Sequence, residues 1–466
     1  MKSPQLPHPP DLSTLRQTLE FDQIVDRLVA LAVSDYGREQ IVSLQPLDQA
    51  LQAEALDKVS EMRDLLDYQA PPPLAEVADL RPCLNRARVV GSILTPSDLA
   101  NIYAFLVVIR RLHGYFGNLS EKISALRPTV SGLVPLKLLE DRLLRCIDLT
   151  ALEVKDSADP ELAAVRRAID RAEAAARQKI EASMRTLAAA GYLQENLIAV
   201  RNGRLVLVVK DEFRRKVKGL VHDQSATGSS FFIEPMEVVD DNNRVRELYA
   251  EERRAVERVL RVLTDEVRSH AAEMARNLAT FAELDLIHAK ARFSQLIRGC
   301  RPQLEPTTVI DFRRARHPLL MLRLGVEQVV PLDVVLGEGN YTLIISGPNA
   351  GGKTVALKTI GLLALMTQCG LHIPVETSSR IGGIDRIFAI VGDLQSLEND
   401  LSTFSSHLQQ LKTIVDSADD RSLILIDEIG VGTDPDEGAA LAVAFLEHVT
   451  TARCLTVATT HYSALK

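Results

Sequence analysis

"YTLIISGPNAGGKTVALKTIGLLALM", residues 341–366, decides the fold. It divides into three pieces. Tyr341–Ser346 is a short apolar, β-branched run, Gly347–Thr354 is a glycine-rich loop, and Val355–Met366 is an apolar helix. The loop matches G-x-x-x-x-G-K-[ST], the Walker A pattern, and a strand before it with a helix after it is the context that pattern requires. Gly351 and Gly352 let the backbone turn its N–H groups inward around phosphate oxygens. Lys353 brings a point charge to the outer phosphates, and Thr354 offers a hydroxyl to Mg²⁺. The expected cradle is therefore Gly347, Pro348, Asn349, Ala350, Gly351, Gly352, Lys353 and Thr354, holding ATP with Mg²⁺. The competing reading, a glycine turn with an accidental lysine, leaves the flanking strand and helix unexplained.

Outward from the cradle, "RIFAIVGD", "SLILIDE" and "CLTVATTH" are further short apolar runs separated by helical stretches. After Arg301 this alternation predicts a mostly parallel, buried sheet with helices on both faces. "SLILIDE" ends in an acid, so its strand delivers Asp427 to the C-terminal edge, where ligands sit in open α/β sheets. Asp427 is expected to hold Mg²⁺ through water. Glu428 faces differently and is placed to orient or deprotonate an attacking water. His461, at the end of "ATTHY", projects toward the same edge and is the candidate γ-phosphate contact. A lone His is more often structural; three segments converging on one crevice favour the functional role.

Between cradle and acidic strand lies "LENDLSTFSSHLQQL", Leu397–Leu411. Ser402 and Thr403 cap a helix start, and Ser405 and Ser406 oversupply it with hydroxyls. Such a start can hold an anion. The order cradle, "STFSSHL", "LILIDE", "GVGTDPDEG", "ATTH" resembles the ABC-type ATPases. In those proteins two ATPase domains face head to tail, and each signature helix caps the γ-phosphate bound by the other. That resemblance implies a homodimer, with Ser402 and Thr403 reaching ATP in trans. "SGPNAGGKT", "STFSSHL", "LILIDEIGVGTDP", "ATTHY" and "ARHPLL" (Ala315–Leu320) look like the MutS family, and "GDLQSLENDLSTFSSHL" with "SSFFIEP" most resembles its bacterial MutS2 branch. No transporter-type LSGGQ signature occurs.

The resemblance implies a MutS core and lever over residues 1–300, with clamp arms in the helices that flank a β insert near 197–235. It implies an ABC-type ATPase domain over 301–466. It implies binding of branched or recombining DNA and suppression of recombination, or action on stalled ribosomes with rRNA contact. Endonuclease activity is expected mainly from an Smr-type domain beyond Lys466. The closing "ATTHYSALK" reads as a strand and a first helical turn, which fits a sequence that continues. A structural ABC protein of the chromosome-organising kind is the rival class, though its coiled arms would run longer. Mismatch reading is not expected. Phe232-Ile233-Glu234 matches the F-x-E pattern of mismatch readers, but Phe231 and Phe232 sit in a β run and are expected to pack in a core.

The first three hundred residues are mostly helical. Two long helices are expected, from Pro160 to about Ala190 and from Val238 to about Ile297, around a β segment. In that segment Asn202-Gly203 separates two apolar runs and predicts a type I′ hairpin. Arg201, Arg204, Lys210, Arg214, Arg215, Lys216 and Lys218 follow in close order against Asp211 and Glu212. They are candidate phosphate-backbone contacts, or else charges that protect a sheet edge.

Composition limits the rest. A net charge of −8 excludes a globally basic nucleic-acid binder, so any such surface is a local patch. Aromatics at 4%, with no Trp, argue against a base-stacking groove. Five scattered cysteines indicate a reducing cytoplasm and no disulfide frame or zinc site. No apolar run approaches a membrane span.

Overall fold

The computed structural model describes residues 11–119, 122–225, 228–348, 351–391, 400–430 and 434–462, with backbone alone for 400–406. Packing divides the chain into two compact units. One comprises Met1–Glu76, Arg111–Val134 and Arg276–Lys466; the other comprises Val77–Arg110 and Pro135–Ala275. Both units are discontinuous in sequence, so neither coincides with residues 1–300 or 301–466.

The first unit is mixed α/β. Strands Thr342–Ser346, Leu455–Thr460, Ser422–Ile426 and Arg386–Ile390 lie side by side in that order, every pair parallel. Ser422–Ile426 and Leu455–Thr460 are buried throughout, which is why they read as unbroken apolar runs with no polar alternation. Their side chains still divide by face. Leu423 and Leu425 join one core with Leu357, Ile360 and Leu363 of helix Lys353–Gln368. Ile424 and Ile426 join another with Leu411, Ile414, Phe445 and Leu446, from helices Asp400–Ser417 and Pro435–Thr451.

The first core also takes Leu15, Phe21, Ile24, Leu28 and Ile41 from helices Leu12–Thr18, Phe21–Val29 and Asp35–Val42, and Leu19 from the C-cap of the first. The opening of the chain thus belongs to the parallel sheet's own packing. Gly361 allows this approach, since a Cβ there would collide with Leu425 and lie 2.9 Å from a Leu19 methyl. A second sheet orders Gln303–Glu305, Arg380–Gly382, Val309–Ala315 and Leu332–Leu336, with only the first pair parallel. The region after Arg301 therefore holds a parallel sheet and a separate mixed one, where the sequence pattern gave a single sheet.

The second unit is built on helices Pro160–Ala189 and Met236–Ser269, which pack against each other. Leu162, Ile169, Ala176 and Ile180 form the buried stripe of the former. Between them in sequence lies a four-stranded antiparallel sheet in the order Leu193–Arg201, Arg204–Lys210, Ser230–Pro235, Gly219–Gln224. It begins at Leu193, a few residues before the expected insert. Arg201 pairs with Arg204 across Asn202 and Gly203, whose φ values of 52° and 73° are those a type I′ turn needs. The long helix expected from Val238 to Ile297 is instead two, Met236–Ser269 and Ala271–Leu296, broken at His270. Neither glycine nor proline marks that break.

Among the described residues no helix is long and apolar enough to cross a membrane.

Candidate functional site

Three segments of the first unit meet at the C-terminal edge of the parallel sheet. Gly352, with φ of 80°, is the N-cap of helix Lys353–Gln368. That left-handed backbone suits glycine and turns the chain from loop into helix. Lys353, 5% exposed, donates from Nζ to the Gly347 carbonyl at 2.6 Å and lies 3.0 Å from His461 Nε2. Thr354, one residue on, donates its hydroxyl to Asp427 Oδ2 at 2.7 Å.

Asp427 stands just past strand Ser422–Ile426, its N–H bonded to the Ile390 carbonyl of the neighbouring strand. Its other oxygen, Oδ1, accepts the Thr459 hydroxyl at 2.5 Å. Glu428 follows with φ of 52°, a left-handed conformation that costs a non-glycine residue about 1 kcal/mol or more. Its N–H donates to Thr459 Oγ1 at 2.8 Å, and the next N–H, of Ile429, donates to the Thr459 carbonyl. The Glu428 side-chain Oε1 lies 3.6 Å from His461 Nε2.

The sequence expectations thus converge. Lys353, Thr354, Asp427, Glu428 and His461 form one cluster within bonding reach. Gly347, Pro348, Gly351 and Gly352 form the adjoining loop. Asn349 and Ala350 lie outside the described residues. Ser402 and Thr403 lie within helix Asp400–Ser417 and do not cap its start, which corrects the expected cap; their side chains lie outside the described residues. Thr459 is the residue sequence reasoning passed over. The available signal was its place near the end of the apolar run "CLTVATTH", two residues before His461.

Chemically, the cluster has a cation and a glycine-bounded helix start suited to an anion, with a hydroxyl and a carboxylate beside them suited to a hard cation. Among the described residues no three His, Cys, Asp or Glu side chains are grouped to hold a metal alone. A cation here fits Thr354 and Asp427, with the rest of its shell from ligand oxygens and water, the mode Mg²⁺ favours.

The basic segment in the second unit separates into different roles. Arg204 does not face outward: its guanidinium bonds both oxygens of Glu234, at 2.7 and 3.0 Å, and Glu234 is fully buried. Glu234 also receives Asn242 Nδ2 at 2.7 Å and His222 Nε2 at 2.5 Å. This corrects Arg204 as a nucleic-acid candidate, because releasing it would strand a buried carboxylate. Arg201 covers the Phe232 ring at 4.1 Å, Arg214 the Phe231 ring at 4.5 Å, and Lys216 the Phe213 ring at 5.3 Å. Lys210 reaches the Gly191 carbonyl at 3.3 Å. Arg215 and Lys218 are exposed. Phe231 packs in the core of the sheet as expected, whereas Phe232 is half-buried outside that core and lies beneath Arg201.

Comparison with known proteins adds a direction. MutS domain V matches residues 343–466, the stretch that carries the whole cluster. Over 453 residues the chain is 44% identical to the endonuclease MutS2 of Pelotomaculum thermopropionicum, covering 96% of this chain and 56% of that protein. It is 40% identical to the endonuclease MutS2 of Halothermothrix orenii, covering 97% and 57% respectively. It is 37% identical to the putative endonuclease MutS2 of Bacillus subtilis, covering 96% and 57%. The chain thus spans a little over half the length of the relatives it matches.

Proposed function

We propose, proceeding from a chain that belongs to the MutS family on its MutS2 branch, that it is an ATP-hydrolysing clamp acting as a homodimer on DNA. The observation that carries this is the meeting of Lys353, Thr354, Asp427, Glu428 and His461 at one strand edge. In this reading the first unit contains a P-loop ATPase domain of the ABC type. Gly347–Thr354 wraps the phosphates, and Lys353 neutralises charge on the outer ones. Thr354 and Asp427 would hold Mg²⁺, which would supply charge neutralisation at the phosphates. Glu428 orients the attacking water and accepts its proton, and His461, beside both Lys353 and Glu428, contacts the γ-phosphate.

Ser402 and Thr403 complete the site of a second copy, so ATP joins two chains and hydrolysis releases them. Branched or double-stranded DNA is the substrate of the closed clamp, in the cytoplasm, and limiting recombination is the outcome. Nuclease activity, carried in the relatives' names, belongs in this reading to lengths of those proteins that the chain does not span.

The test is ATPase rate per chain against protein concentration, with and without Ser402→Ala. A rate that climbs with concentration and drops in the variant is expected. A flat rate indifferent to the change would sink the shared site. Adding DNA junctions or stacked ribosomes in parallel assays decides the partner. Stimulation by junctions is expected, and stimulation by ribosomes alone would replace DNA with the ribosome.

A further inference from the structure

We infer that Thr459 is the positioning residue that sets both acids of the site at once. The inference rests on the ATP-hydrolysing reading above. A hydroxyl has one proton and two lone pairs. The Asp427 carboxylate can only accept and the Glu428 N–H can only donate, so the roles are forced: Thr459 Oγ1 gives its proton to Asp427 Oδ1 and takes the Glu428 N–H. Thr459 itself is fully buried on strand Leu455–Thr460, so no water competes for these bonds.

Two consequences follow. Asp427 is held from both sides, Oδ2 by Thr354 and Oδ1 by Thr459, which fixes its plane and leaves a second lone pair on each oxygen for a cation or its water. Glu428 sits in left-handed backbone, and such strain persists only where neighbours over-determine it. Thr459 supplies two restraints, through its hydroxyl to Glu428 and its carbonyl to Ile429. Two residues further on, the same strand end presents His461, 3.6 Å from Glu428. One threonine therefore ties the metal-facing acid, the water-facing acid and the histidine segment into a single register. A buried strand threonine of purely structural value would affect melting temperature and nothing else.

The experiment measures kcat, KM for ATP, the Mg²⁺ concentration for half-maximal rate and, by calorimetric titration without turnover, the Mg²⁺ affinity of the chain in the wild type, Thr459→Val, Thr459→Cys, Thr459→Ser and Lys353→Ala. Valine keeps shape and strand preference but deletes the hydroxyl. The expected result is a fall in kcat of about 10–100-fold with a rise in half-saturating Mg²⁺, the scale seen when an outer-shell partner is lost. KM for ATP should hold within about 2-fold. Cysteine, a weak donor of similar size, should behave like valine and stands in for it if valine does not fold. Serine, which keeps the hydroxyl, should restore kcat and the Mg²⁺ dependence. Unchanged kcat and Mg²⁺ dependence in valine or cysteine, or failure of serine to rescue, overturns the role of Thr459. A wild-type chain with no turnover, or with turnover that survives Lys353→Ala, overturns the ATP-hydrolysing reading instead and takes this inference with it.

Discussion

Asp427 in the first unit and Glu234 in the second are both carboxylates at the end of a sheet strand with a histidine nearby, yet their surroundings lead opposite ways. Glu234 is fully buried and saturated: Arg204 takes both oxygens, and Asn242 and His222 take one each. Nothing remains for a ligand. Asp427 is half-buried and carries two hydroxyl bonds, one per oxygen, with a lysine and a strained glutamate alongside. The difference teaches that residue type does not separate structure from chemistry. What separates them is how much hydrogen-bonding capacity the neighbours leave unspent.

Exchanging each acid for its amide tests this most severely. Glu234→Gln should remove a buried charge facing Arg204 and cost roughly 3–5 kcal/mol of stability, seen in denaturant unfolding. Turnover per folded molecule should be unchanged. Asp427→Asn should do the reverse, lowering ATPase activity by about 100-fold or more while the unfolding midpoint stays near that of the wild type. If both variants lose stability and keep activity, the distinction between the two acids collapses.

The same contrast explains what was legible in the sequence. Gly347–Thr354 with its strand and helix, the buried strand "SLILI" and the Asn202-Gly203 turn were readable because each is dictated by local chain chemistry: positive φ, unbroken apolar runs, a missing Cβ. The partners of Arg204 were not. Glu234 lies thirty residues on, and a basic run looks identical whether its members face water or a buried acid. The role of Thr459 needed the turn at Glu428, which bends a backbone N–H into its hydroxyl. The entry of Leu15, Leu19 and Phe21 into the parallel sheet's core depends on tertiary contacts that periodicity does not encode, and the helix break at His270 carries no glycine or proline to announce it.

Titration sharpens the comparison at smaller amplitude. His372, in the first unit, resembles Glu234 in being saturated: Ser294 Oγ lies 2.9 Å from Nδ1, and Ser60 Oγ and the Leu56 carbonyl lie 3.0 and 3.3 Å from Nε2. Burial, helped by Arg63 and Arg301, pushes its pKa down to about 4. Between that value and the unfolded 6.5 the unfolded chain holds a proton that the native chain does not. Its contribution is therefore complete above pH 6.5 and lost as pH falls toward 4. From pH 7 to pH 4.5 the stability advantage of the wild type over His372→Gln should shrink by roughly 2–3 kcal/mol, read in urea titrations at both values.

Lys290 tests the opposite limb. Fully buried, with its Nζ on the Cys369 carbonyl at 2.7 Å, it is lowered by burial to about 8. Between that value and the unfolded 10.5 the unfolded chain again holds the extra proton, so stability rises with pH. The cost of the buried ammonium is present below pH 8, and any advantage of Lys290→Met at pH 7 should shrink by about 2 kcal/mol by pH 10. A pH-independent difference for either variant would mean that burial does not shift these two groups.

The smallest effect concerns two exposed members of the basic segment that, among the described residues, cover no aromatic ring. Arg215 and Lys218 face water, whereas Arg204 is spent on Glu234. If the former contact DNA phosphates, each replacement by Ala should reduce the slope of log binding constant against log salt by about 0.9, one counterion-weighted contact, equally for any DNA sequence. Fluorescence anisotropy across a salt series would measure it. Arg204→Ala should leave that slope unaltered at temperatures where the variant is folded, because its charge is already neutralised in the native chain. A slope that falls for Arg204→Ala and holds for Arg215→Ala and Lys218→Ala would reverse the assignment, placing the buried pair at the nucleic acid and the exposed cations at a solvated edge.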